Sequence, residues 1–354
     1  MEKKRSQVDN YLQKKKKVRL ITVSFLVFLL CLAVVSMLVG QYGISPLKCA
    51  EVILGLKETD PATAAIVHNI LINIRLPRTI AAILIGGALS LAGLTYQCVF
   101  RNILVSQDIL GVNTGACVGA ALAIILDLSV YHIQFFAFFA GMMSVLMVFL
   151  LSRFFKVEKT LSLILSGILV SGLLSSVLGY IKYTANPETH LQTIVYWTMG
   201  DLSSITMKQI SEVFIPLAVC TIVIVFNRWK LNFFCYSDSE AVSLGFNIYA
   251  FRILFIVCAT MIVSLAVSVA GSIGWVGLVI PLLVRTLVGA DNNDTVGLSV
   301  IAGATFLLLM DMINRLISTA ELPISILTGL VGTPIFVVCL ILKQKGDQIT
   351  HAQG

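Results

Sequence analysis

Long apolar runs separated by short polar breaks set the pattern of this chain. Residues near 20–40, 79–100, 109–128, 132–152, 161–181, 207–227, 250–270, 273–290, 297–318 and 324–342 are almost free of charge. At a helical rise of about 1.5 Å per residue, about twenty residues cross a hydrocarbon core of about 30 Å. The pattern predicts an all-α polytopic membrane protein of about ten transmembrane helices. One boundary is soft, because Gly271-Ser272-Ile273-Gly274 joins two runs without a polar break.

The breaks carry signals of their own. Residues 41–77 read as two short helical pieces, near 46–56 and 63–74, parted by Glu58-Thr59-Asp60-Pro61. Residues 182–206 contain Asn186-Pro187 and a cluster from Tyr196 to Asp201, whose aromatics suit a membrane boundary. The loop 228–248 holds Ser237-Asp238-Ser239-Glu240, a good helix start, followed by Ala241 to Leu244 and a stop at Gly245. That short helix reads either as a plain surface helix or as a docking helix for a cytoplasmic partner, with Ala241 and Gly245 permitting close approach. Along 161–181, Gly167, Ser171, Ser175 and Gly179 recur every fourth residue on one face. Such a stripe serves tight helix packing or lines a solute path. Gly93-Leu94-x-x-Gln97-x-x-x-Arg101 is echoed by Gly277-Leu278-x-x-Pro281-x-x-x-Arg285, too short an echo to establish a repeat.

Composition sharpens the class. The chain is 58% hydrophobic and 12% charged, against about 25% charged in soluble domains. With the N-terminus inside and ten crossings, eighteen of the twenty-five basic residues fall on the inner side. The expected layout is a basic cytoplasmic segment 1–19, a transmembrane body 20–342 with a cytoplasmic loop 228–248, and a cytoplasmic tail 343–354. The run Lys14 to Lys17 precedes a membrane helix, so it reads as an orientation and anionic-lipid contact, not a nucleic-acid site. The first run is too long for a signal peptide's apolar region and is read as a retained helix. The eight cysteines form no C-x-x-C pair, and only Cys49 falls on the outer side, so neither a disulfide framework, a metal site nor a cofactor is indicated.

Candidate chemistry is sparse. Asp127, His132, Arg285, Asp311 and Arg315 lie near run ends, whereas an ion-coupled carrier favours a buried carboxylate or a broken helix at the midplane. No Gly-Lys dipeptide occurs, so ATP would be hydrolysed by a separate chain, and no catalytic motif is found. Arg75 and Arg78 bracket Pro77, and Arg315 follows Asp311 by four residues. They read as headgroup anchors with an Asp311–Arg315 pair, or as guanidinium forks offered to carboxylates of an external partner.

Ordered motifs connect these pieces. Arg75-Leu76-Pro77-Arg78, Gln97 with Arg101-Asn102, and Leu110-Gly111-Val112 with Gly115-Ala116 are followed by Glu240-Ala241-x-x-Leu244-Gly245. Gly271 through Arg285, Gly289-Ala290-Asp291-Asn292, Asp311-x-x-x-Arg315, Glu321-Leu322-Pro323-Ile324-Ser325 and Gly332-x-Pro334-x-Phe336 complete the series. The series resembles the permease subunits of ABC importers for iron–siderophores, haem and cobalamin, the FecCD/BtuC-like family. The resemblance implies a type II ABC importer permease fold and a dimer of permeases, identical or paralogous. It also implies two cytoplasmic ATPase subunits and an extracytoplasmic substrate-binding protein. It implies that Arg75, Arg78 and Arg315 receive the binding protein, and that Ser237, Asp238, Glu240, Ala241, Leu244 and Gly245 couple to the ATPase. Gly167, Ser171, Ser175 and Gly179 would line the pathway. Leu282 stands where the family usually has His, and Ile103 where it usually has Pro. Ser325 with Trp275 is similar to members that carry haem or oxyanions such as molybdate. The expected cargo is an iron–siderophore or similar metal chelate, carried by alternating access across a cell membrane. Haem, cobalamin or molybdate import, or an ion-coupled carrier, are the alternatives.

Overall fold

A computed structural model describes residues 2–40, 42–43, 45, 61–317 and 322–352. Among them, eight helices are long and apolar enough to cross a membrane, and two further apolar helices are shorter. The order is α1 (Glu2–Leu38), α2 (Pro61–Asn69), α3 (Leu76–Val99), α4 (Val112–Ile125), α5 (Val130–Ser152), α6 (Lys159–Thr184), α7 (His190–Met199), α8 (Met207–Phe226), α9 (Asp238–Ser243), α10 (Ile248–Ala270), α11 (Val276–Val288), α12 (Asn292–Ile317) and α13 (Ile324–Ala352). The architecture is the all-helical polytopic one. The basic segment 1–19 and the tail 343–354 enter as continuations of α1 and α13 as far as they are described.

Three details depart from the apolar pattern. The helical piece expected near 63–74 does not stop before the membrane run. Ile70–Arg75 forms a π-helical turn in which the Leu76 N–H donates to the Leu71 carbonyl. This wider turn carries the chain past Pro77, which has no N–H to give, straight into α3. The piece expected near 46–56 lies outside the described residues. In the segment 182–206, α7 forms a helix whose Ile194 is fully buried. The runs 109–128 and 273–290 hold helices of only 14 and 13 residues, α4 and α11. At about 1.5 Å per residue each is roughly 20 Å long, short of a 30 Å core.

Helix α3 is the hub, buried on nearly all sides and packed against α10, α11 and α12. Close approach is set by glycine. Gly86 faces the backbone of Gly303 on α12, and a Cβ on either residue would meet the other's carbonyl. Gly93 lies on the Gly277 backbone of α11 in the same way. The two short sequence echoes therefore touch each other. Gln97 donates to the Leu278 carbonyl at 3.3 Å, and Arg285 donates to the Gln97 Oε1 at 3.2 Å.

Both ends of α3 are pinned by arginine. Arg78 Nε donates to Asp311 Oδ1 at 2.5 Å, while Arg315 holds the other oxygen of the same carboxylate. At the opposite end Arg101 Nη2 reaches Asp238 Oδ1 at 2.7 Å, and Arg252 of α10 grips both Asp238 oxygens at 2.8 and 2.9 Å. By contrast α5, α6, α8 and α13 keep broad apolar faces outward, as lipid- or partner-facing helices do.

Glycine contacts give a direct test. Gly93→Ala drives a methyl into backbone that cannot yield, and should cost at least about 1–3 kcal/mol of stability. Gly297→Ala, on the open side of α12, should be neutral or stabilising. Thermal unfolding in detergent, read by size-exclusion fluorescence, checks the pair. Equal melting of both variants would overturn the packing account.

Candidate functional site

The loop 228–248 builds its presented helix from local rules. Ser237 caps α9 by accepting from the Glu240 N–H at 3.3 Å, while the Glu240 carboxylate accepts from the Ser237 N–H at 2.8 Å. That backbone bond holds the Glu240 carboxyl below its usual range. Gly245 then turns the chain with φ of +78°, a conformation that glycine adopts at little cost. Behind the helix, Phe233, Phe246 and Phe251 stack with centroids 4.4 and 5.1 Å apart. Ala241 is fully buried, whereas Val242 is 50% and Leu244 62% exposed. The helix is thus fastened on one side and offers an apolar edge on the other. Beside it lies a groove of about 820 Å³ lined by Glu158, Lys159, Ser239, Val242 and Tyr249.

Asp238 ties this helix to the membrane body through Arg101 and Arg252. Hydrogen bonds from Arg252 lead in holding its carboxyl below the usual range, with Arg101 adding to them against the opposing effect of burial. Six neighbouring residues singled out in the sequence, Ser237, Asp238, Glu240, Ala241, Leu244 and Gly245, thus form one capped and anchored unit. The partners Arg101 and Arg252 were not singled out for it. Arg101, at φ of +52°, already stood out in the Gln97-x-x-x-Arg101 motif.

At the other end Arg75, Arg78 and Arg315 converge on one pocket of about 280 Å³. All three are buried. Arg75 caps the end of α1, donating to the carbonyls of Met37, Leu38 and Tyr42 at 2.8, 2.9 and 2.6 Å. Arg315 also donates to the Ser36 carbonyl at 3.1 Å. The i,i+4 Asp311–Arg315 pair weighed in the sequence is present. Glu321, from the same stretch of motif, lies outside the described residues.

The small-residue stripe of α6 divides into two halves. Gly167 lies against the Ile109 carbonyl, and Ser171 faces Gly111, so this half packs on the loop before α4. Ser175 is exposed and Gly179 has open space in front of it. Both line a pocket of about 380 Å³ with Asn113, Thr114, Lys182 and Ser272. This pocket sits where the short helices begin. Asn113 donates to Asp108 Oδ1 and Ser272 Oγ at 2.9 and 2.7 Å, and Gln107 donates to the Ile273 carbonyl at 2.9 Å. Ser325 donates to the Ser272 carbonyl at 2.5 Å. The Asp201 N–H reaches the Ala270 carbonyl at 2.8 Å, and the Ile324 N–H reaches Gly200 at 3.1 Å. Asp201 is partly buried, which favours its neutral form. Hydrogen bonds from Ser203 and Ser204 outweigh that and hold its carboxyl low.

The family departures sit apart from this pocket. Leu282 is buried within α11, and Ile103 lines a separate hollow with Arg101 and Arg285. Asn113 and Lys182 were missed as site residues, because nothing local marks a polar residue at a helix end as a pocket wall.

Comparison with known proteins agrees with this architecture. The model of the FecCD transport family matches residues 26–343. The chain is 35% identical to the molybdate import system permease protein MolB of Haemophilus influenzae, over 89% of this chain and 93% of the relative. It is 38% identical to a Helicobacter pylori protein described as an iron chelatin transport system permease, over 89% and 96%. It also superimposes on a solved structure described as a metal-chelate type ABC transporter in an inward-facing conformation. That match has a TM-score of 0.82 and 34% identity, covering 91% of this chain and 98% of the other. The chain therefore belongs to the FecCD transport family, as the membrane-spanning permease of an ABC importer and not as its ATPase.

Proposed function

We propose that this permease carries an iron–siderophore or similar metal chelate, handed over by an extracytoplasmic binding protein and moved by alternating access. Two copies, or one with a close paralogue, would enclose the pathway, with both termini in the cytoplasm of a cell membrane. The basic segment 1–19 and tail 343–354 would flank the transmembrane body 20–342. The single observation that carries the reading is the capped helix of 237–245. It is fixed to α3 and α10 by Asp238 and leaves Val242 and Leu244 exposed. An apolar edge on the basic face fits a partner that must push on the membrane body, as a cytoplasmic ATPase does.

At the outer end Arg75, Arg78 and Arg315 gather at one pocket beside Asp311. Guanidinium forks are the groups suited to carboxylates of the binding protein. Docking of this kind weakens as salt rises. Binding-protein stimulation of ATP hydrolysis that is indifferent to ionic strength would argue against it. Relatedness to MolB and the serine in Glu321-Leu322-Pro323-Ile324-Ser325 favour molybdate as the second reading. Ferric chelate and molybdate uptake, measured side by side in proteoliposomes, separate the two.

Coupling is tested at Asp238, Glu240 and Gly245. Asp238→Asn and Gly245→Val should each lower ATP-coupled uptake by about tenfold or more, with weaker recovery of the ATPase on co-purification. Intact uptake and association in Glu240 and Gly245 variants would sink the assignment. The pH dependence follows from the lowered carboxyl of Asp238. Its contribution is complete above the unfolded value of about 3.9 and is lost only as pH falls through the lower folded value. ATPase association should therefore be flat from about pH 5 to 8 in the Asp238 protein. A loss in that window removed by Asp238→Asn would contradict this account.

A further inference from the structure

The pocket at the start of α4 is lined by one cation, Lys182. Lys182 lies in the last turn of α6, and its Nζ donates to Thr198 Oγ1 at 3.3 Å. Among the described residues no carboxylate lies within ion-pair reach of it. Around the same pocket, Thr114, Ser175 and Ser272 present hydroxyls, and Ser272 accepts from Asn113 and so keeps its own proton to give. Asn113 is 8% exposed, and its Oδ1 has no hydrogen-bond partner among the described residues. A buried acceptor in that condition costs on the order of 1–3 kcal/mol unless something fills the space beside it. Asp108 is the nearby opposing charge. It stands outside the lining, and Asn113 and Ser106 donate to it. The first backbone N–H groups of α4 add partial positive charge on the same side.

We propose that this pocket is a contact site for the anionic oxygens of the cargo, with Lys182 supplying the charge and the hydroxyls of Thr114, Ser175 and Ser272 the hydrogen bonds. The proposal rests on the importer reading and refines it. The cargo class is an oxygen-rich anion, either a free oxyanion or the carboxylate or catecholate face of a metal chelate. Asn113 Oδ1 then accepts from a hydroxyl of the cargo or from water carried with it. Lys182 acts by concentrating anions at a point where α6 leaves open space, since a cleft of one charge sign raises local anion concentration by about 10–10³-fold.

The test reads the local field directly. Ser175→Cys is placed in the assembled transporter with its ATPase, in proteoliposomes, against the same protein with Ser175 intact. Anionic and cationic methanethiosulfonate reagents of matched size are then compared. The anionic reagent should react faster by about tenfold. Lys182→Gln should bring the ratio near one, and Lys182→Arg should restore it. Protection of the thiol by molybdate would point to a free oxyanion, and protection by an anionic ferric tris-catecholate to a chelate. A ratio indifferent to Lys182→Gln overturns the proposal. Failure of the importer reading is told apart by loss of ATPase co-purification, which leaves the thiol ratio readable.

Discussion

Hydrocarbon offers no hydrogen bonds, so every place where this chain interrupts a helix must be satisfied from within the protein. Four such interruptions meet: the loop before α4, the link between α10 and α11, the turn after α7, and the entry to α13. Each completes another. Gln107 and Ser325 serve carbonyls of the 272–273 link, while the Ala270 carbonyl and Gly200 carbonyl take the N–H groups of Asp201 and Ile324. The fold is therefore held by mutual satisfaction at a single seam as much as by helix packing.

The same seam stores strain. Trp275 begins α11 at φ of +69°, which for a bulky residue costs on the order of 1–3 kcal/mol. Its ring and Cβ are held against Gly329 and Gly332 of α13, whose missing side chains leave it room. A strained start on α11, held against α13, makes this junction a natural place for two arrangements of similar energy. It also places that junction beside the Lys182 pocket, through the shared residue Ser272.

Helix count was legible in the sequence because an apolar run long enough to span declares itself. Helix length was not. The link of 271–275 is itself apolar, so hydropathy could not show that α11 starts at Val276. Likewise α7 mixes polar and apolar residues over ten positions and gives no spanning signal. In the short helix α9, Ser237 and Glu240 were legible because a capping box is local. The Arg101 and Arg252 grip on Asp238 was not, since the former closes across 137 positions. The Asp311–Arg315 pair was legible at i,i+4, whereas Arg78 joins it across 233 positions. Local hydrogen-bond grammar is written in the sequence; long-range pairing of scarce charges is written only in the fold.

Those scarce charges explain why α3 serves as the frame. Each of its ends enters an Arg–carboxylate–Arg triad, one with α12 and one with α10. The triad at Asp311 is almost dry, its carboxylate having no exposed surface. Removing one member of a buried pair leaves an uncompensated charge and costs about 3–5 kcal/mol. The triad at Asp238 is wetter and correspondingly weaker. A helix clamped tightly at one end, loosely at the other, and locked along its length by Gly86 and Gly93 resists bending. The helices with fewer internal contacts, α6 and α13 among them, border the polar seam, so the rigid frame and the looser helices beside it are two consequences of one distribution of glycine and charge.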